Sequence, residues 1–195
     1  MKKVLITGFD PFGGQAVNPS WEAVRLLPDE IGNWQLIKRQ LPTVFHKAAA
    51  KVLEEAAAQN PDAILCVGQA GGRKGITPEV VAINLREAGI PDNEGQQPVN
   101  VPVVEGGPAA YFSTLPVREM VKAMEAEGIP CGLSYSAGAF VCNEVLYTVL
   151  NRFEGTATRA GFVHVPFLPQ QAGEKLPSLP LEDIVRGLTA AIRVL

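Results

Sequence analysis

Three residue types in this sequence could together break an acyl bond: a cysteine where a helix begins, a histidine where a strand ends, and a carboxylate to orient that histidine. The cysteine is Cys142, in Ser134-Tyr135-Ser136-Ala137-Gly138-Ala139-Phe140-Val141-Cys142-Asn143. A short strand there turns through small residues into a helix, and the thiol falls in the helix's first turns. Free amides and the positive dipole end at that place favour a thiolate. The same amides could receive an oxyanion. Cys142 also shares a stripe with Val145, Leu146, Val149, Leu150 and Phe153, the pattern of a core cysteine. The residues alone leave both roles open.

The chain has two histidines. His46 opens an alanine-rich helix and reads as a surface or capping residue. His164 lies in Gly161-Phe162-Val163-His164-Val165-Pro166, at the carboxyl end of an apolar strand, where a general base or a satisfied core histidine could sit. Glu79, in Thr77-Pro78-Glu79-Val80, is the best orienting acid; Asp10, Asp92 and Glu94 are fallbacks that read as turn residues. The serine-hydrolase pattern G-x-S-x-G fails at Gly132-Leu133-Ser134-Tyr135-Ser136. H-E-x-x-H is missing, as are G-x-G-x-x-G and the P-loop pattern, so these residues offer no familiar metal, dinucleotide or P-loop motif.

Short apolar runs alternating with amphipathic helices must position these groups. Strands are expected at Val4–Ile6, Gln35–Leu41, Ala63–Val67, Val80–Leu85, Leu133–Tyr135 and Phe162–Val165. Helices are expected from Asn18-Pro19, over His46–Gln59, from Pro116 to Gly128, over Gly138–Phe153 and over Leu181–Leu195. All-apolar strands between helices indicate a three-layer α/β/α sandwich, with a mostly parallel twisted sheet and an antiparallel ribbon near Val80–Val104. Sites in such sheets lie at the carboxyl ends of strands. Two loops there could take a small ligand: Gly8-Phe9-Asp10-Pro11-Phe12-Gly13-Gly14, whose two rings either wall a pocket or fill core, and Gly68-Gln69-Ala70-Gly71-Gly72-Arg73, which reads equally as an ordinary loop.

Composition narrows the partners. The 195 residues are 47% hydrophobic and 19% charged, with a net charge of −3, which gives no electrostatic reason to bind nucleic acid or an anionic membrane. Such a length can bury roughly 70% of its unfolded surface, and no linker divides it, so residues 1–195 read as a single domain. Cys66, Cys131 and Cys142 are odd in number and lack C-x-x-C spacing, which argues against disulfides and zinc. Val4-Leu5-Ile6 is too short for the apolar core of a signal peptide (about 7–15 residues), so the expected location is cytoplasmic.

Taken in order, these segments resemble the pyroglutamyl peptidase I (pyrrolidone carboxyl peptidase) family of cysteine peptidases. The resemblance rests on Gly8–Gly14 with Asn18-Pro19-Ser20-Trp21, on Cys66–Arg73, Ile76–Glu79 and Ile90–Gly95, and on Ser134–Asn143 and Gly161–Pro166; it spans nearly the whole chain. It implies removal of an amino-terminal pyroglutamate from peptides, with Glu79, Cys142 and His164 as the catalytic residues and no cofactor. It further implies a homotetramer and a substrate site built from Phe9, Phe12, Asn18, Gln69, Gly71 and Val141. Two departures matter: Val80 follows the acid where the family has a basic residue, and Gly89 precedes Ile90-Pro91-Asp92-Asn93 where the family has arginine. Either the charge is made good by Arg73, Lys74 or Arg86, or the chain is an inactive relative that binds pyroglutamyl termini.

Overall fold

The computed structural model describes residues Met1–Leu195. In chain order the elements are β1 (Lys2–Phe9), α1 (Pro19–Leu26), β2 (Glu30–Ile31), β3 (Trp34–Leu41), α2 (Lys47–Gln59), β4 (Ala63–Gln69), β5 (Thr77–Pro78), β6 (Val81–Ile83), β7 (Ala110–Phe112), α3 (Val117–Ala126), α4 (Val141–Arg152), β8 (Arg159–Val165), α5 (Pro169–Ala172) and α6 (Leu181–Arg193). The main sheet runs β2-β3-β1-β4-β8-β5. Its four inner strands are parallel, and the two short edge strands are antiparallel.

Successive strand residues point to opposite faces, so each strand divides its side chains between two cores. Val4, Ile6, Leu65, Val67, Val163 and Val165 face the layer of α1, α3 and α6. Leu5, Phe9, Ile64, Cys66, Ala160 and Phe162 face the layer of α2 and α4. This is the expected three-layer sandwich. His164 has the parity of Ala160 and Phe162, so the fold turns its imidazole toward α4, the helix that carries Cys142.

The largest departures from the expected elements lie in the loops. Gly138 has a φ of 75°, a left-handed conformation that cannot continue a helix, so α4 begins at Val141 and not at Gly138. Cys142 is therefore the second residue of its helix. Leu133–Tyr135 is not a strand; it is tied to the β5 segment only through the Glu79–Ser134 bridge. Val99–Val104 is not a strand: Val101 makes a single antiparallel bridge to Arg86, and Asn84 holds the far end, donating to the Val104 carbonyl at 2.8 Å and accepting from the Val104 amide at 2.9 Å. The partner of β6 is β7 instead. Finally, the segment after β8 contains the short helix α5.

The first loop is held by close backbone approach. A Cβ on Gly8 would lie 2.6 Å from the Trp21 Cα, within α1. Gly8→Ala should therefore lower stability by ~2 kcal/mol or more in urea unfolding, since neither backbone segment can yield without moving a whole element.

Candidate active site

The pairing of β5 with β8 sets the heart of the site. Thr77 lies opposite His164 and Pro78 opposite Val163, and the Glu79 amide then donates to the Phe162 carbonyl at 2.9 Å. That register lays Glu79 beside His164. The imidazole Nδ1 stands 2.7 Å from Glu79 Oε1, both side chains being buried. With Nδ1–H donating to the carboxylate, Nε2 is the nitrogen left to exchange a proton. The same Oε1 accepts from Arg73 Nη1 at 2.8 Å.

Cys142 reaches the site from the other side. Cys142 and His164 line one cavity of ≈ 370 Å³, together with Phe12, Gln69, Gly71 and Arg73. Gly68 makes room for the thiol, because a Cβ there would sit 2.9 Å from the Cys142 Sγ. Two neighbours on α4 fix the helix in place. Asn143 donates to the Ile83 and Leu85 carbonyls and accepts from the Ile83 amide, while Glu144 accepts from the His46 amide at 2.7 Å. No side chain caps the helix start at Phe140, which leaves its first amides unmet by a cap.

The protonation states differ from the expectation for a helix-start cysteine. Burial pushes the Cys142 thiol up to about 12, the Glu79 carboxylate adds to the rise, and Arg73 opposes it. Burial likewise lowers His164 below its ordinary 6.5, against the pull of Glu79. Burial would raise Glu79, but the His164 hydrogen bond and charge and the Arg73 guanidinium hold it below the usual carboxylate range. At neutral pH the resting site is a thiol, a neutral imidazole and a carboxylate.

Several expected substrate residues lie elsewhere. Phe9 is 2% exposed and packs on Phe162 with ring centroids 6.2 Å apart, so it belongs to the core and forms no wall. The ring beside Phe12 is Phe140, at 6.0 Å, which the sequence did not single out. Asn18 caps α1: its carbonyl oxygen accepts from the Ser20 amide and hydroxyl and its amide donates to the Asp10 carbonyl, all inside the first loop. The Val141 side chain is fully buried and Val141 does not line the cavity. Gly71 lies on the cavity and also against the Phe167 ring, which a Cβ would meet at 2.2 Å. Asp10 and Asp92 accept backbone amides of Thr43 and of Phe45, Glu94 and Gln96, and Glu94 pairs with Lys47; none bonds to His164.

Of the cations that could balance the acid, Arg73 touches Glu79, whereas Arg86 lies 3.4 Å from Glu144. Lys74 makes no ion pair, and a Cβ at Gly89 would meet nothing within 4 Å.

Comparison with known proteins gives one consistent result. The family model described as "Pyroglutamyl peptidase" matches residues 2–195. The pyrrolidone-carboxylate peptidase of Bacillus cytotoxicus is 49% identical over 199 aligned positions, covering 100% of this chain and 93% of the relative. That of Bacillus cereus strain AH820 is 50% identical with the same coverage. The crystal structure of Bacillus amyloliquefaciens pyroglutamyl peptidase I superposes with a TM-score of 0.95 at 50% identity, covering 100% of this chain and 96% of that one. The pyrrolidone carboxyl peptidase of Thermococcus litoralis gives 0.94 at 38% identity, covering 100% and 93%.

Burial sets a pH dependence of stability. The unfolded chain binds a proton at His164 near 6.5, and the native site resists it, so stability should fall as pH drops below that value. Urea midpoints measured from pH 8 to 5 should show this slope, and His164→Gln should flatten it.

Proposed function

This chain belongs to the pyroglutamyl peptidase family, and we propose that Cys142, His164 and Glu79 carry out its reaction through an acyl-enzyme. The reaction is hydrolysis of the bond between an amino-terminal pyroglutamyl residue and the rest of a peptide. The observation that carries the assignment is the shared cavity of Cys142 and His164, with Glu79 hydrogen-bonded to the far nitrogen of the imidazole.

The Cys142 thiol gives its proton to His164 Nε2 as Sγ attacks the carbonyl carbon. A thiol held up to about 12 by burial needs this concerted transfer, because little free thiolate exists at neutral pH. The uncapped amides at the start of α4 stabilise the oxyanion. His164 then protonates the departing amine, leaving a thioester. Water attacks that thioester, giving its proton to the same nitrogen, and pyroglutamate leaves with the thiol restored. Glu79 keeps Nδ1 protonated throughout and stabilises the imidazolium that forms.

The cavity suits an uncharged ring. Phe12 and Phe140 supply aromatic surface, and Gln69 with its neighbours supplies polar groups for a lactam. A free glutamyl or glutaminyl terminus would bring an ammonium ion, and the buried carboxylate is already engaged by Arg73 and His164.

Residues 1–195 act as one peptidase domain in this reading, supported by two cores that share one sheet. No helix is long and apolar enough to cross a membrane. A cytoplasmic location is supported by three free thiols, Cys66, Cys131 and Cys142. Assembly as a homo-oligomer, the tetramer of the resemblance, is supported by the β6–β7 ribbon, which leaves Phe112 71% exposed. Sedimentation should give a mass above that of one chain, and Phe112→Glu should reduce it.

The primary test is fluorophore release from pyroglutamyl-aminomethylcoumarin beside the prolyl and glutaminyl analogues. Cleavage should be confined to the pyroglutamyl compound and lost by at least about 1,000-fold in Cys142→Ala and His164→Ala. Equal cleavage by Cys142→Ala would refute the assignment.

A further inference from the structure

We infer that Arg73 is a positioning residue for this reaction: its guanidinium locks Glu79 against His164 and, through Ser136, ties that pair to the loop leading into the nucleophile's helix. The inference rests on the function proposed above.

Its first support is the state of Glu79. The carboxylate is fully buried, and its second oxygen, Oε2, makes no hydrogen bond. A buried carboxylate facing only a neutral imidazole would be costly and would tend to take up a proton. Arg73 is the one lysine or arginine that pairs with it. Positions 80 and 89, where the resemblance expects cations, hold valine and glycine.

The second support is how the planar group is used. Nη1 donates both to Thr77 Oγ1, on the strand that presents the acid, and to Glu79 Oε1 at 2.8 Å. Nη2 donates to the Ser136 carbonyl at 3.1 Å. One rigid fork thus spans β5, the acid and the 134–140 loop that ends at α4. Three of its five N–H donors are committed to the protein, both of those on Nη1 among them, so Arg73 acts through Glu79 and the loop.

The ionisable groups around the imidazole are Glu79 after β5, Arg73 in the β4–β5 loop and Cys142 on α4, with Cys66 behind them on β4. Arg73 disfavours a second proton on His164. An imidazole protonated at both nitrogens cannot accept the thiol proton. Removing the guanidinium charge must therefore move the acid limb of activity to higher pH.

The test is the pH profile of kcat/KM on pyroglutamyl-aminomethylcoumarin for the wild-type protein and for Arg73→Met and Arg73→Lys. In Arg73→Met the acid limb should move up by about one pH unit, with kcat about 10–100-fold lower and KM within about threefold. Arg73→Lys should return the limb toward its original position but restore kcat only in part, because an ammonium cannot span Glu79 and Ser136 in one plane. If Arg73→Met does not fold, Arg73→Gln, which removes the charge and keeps donors, serves the same test. An unmoved limb with uniformly lower activity makes Arg73 a structural residue and overturns the inference, as does a raised KM at unchanged kcat. A wild-type protein without activity on this substrate would instead overturn the function on which the inference rests.

Discussion

A carboxylate kept from water destabilises a fold unless donors surround it, and Glu79 meets that constraint with a single oxygen shared between His164 and Arg73. The sharing depends on register. β5 contributes only two residues to the sheet, yet its antiparallel pairing with β8 decides that Glu79 follows at the level of Phe162 and points to the same side as His164. A slip of one residue would turn the acid to the opposite core. The edge strand is therefore short in sequence but decisive for chemistry.

The same burial decides the protonation states. Desolvation disfavours charge on the thiol and on the imidazole, while Glu79 keeps its charge because donors reach it. The resting site thus holds charge where the protein compensates it and stays neutral where the substrate arrives. A cavity of this kind accepts a flat, uncharged lactam without displacing an ion pair. In the proposed mechanism it makes the proton transfer from Cys142 part of the chemical step, and the orientation of the imidazole becomes as important as its basicity.

The charge of the acid is balanced from a neighbouring loop. Arg73 approaches from the loop after β4, and Arg86 is drawn off to the buried Glu144 on the flank of α4. These two pairs serve different ends of one device. The first fixes the acid and base on the sheet; the second, with Asn143 clamped to β6, fixes the helix that carries the thiol. Val80 and Gly89 bring no charge to this balance, and Arg73 is the cation that meets the acid.

The layers were legible in the sequence because their signals are periodic. Apolar strands between amphipathic helices specify a covered parallel sheet, and Cys142, His164 and Glu79 stood out as chemically able residues at its strand ends. Irregular backbone was less legible. Asn84, one side chain, holds the loop at Val104 beside β6, and no period announces such a contact. The same limit explains the two phenylalanines. Phe9 is the last residue still governed by strand alternation, which sends it into the core with Leu5. Phe12, three residues later, lies beyond the strand, where loop geometry and not parity sets its direction. It meets Phe140, a residue 128 positions away, in the turn between Gly138 and the start of α4. A site at strand ends is thus assembled where periodic rules expire: the pattern identifies the groups able to do chemistry, and tertiary contact selects which side chains surround them.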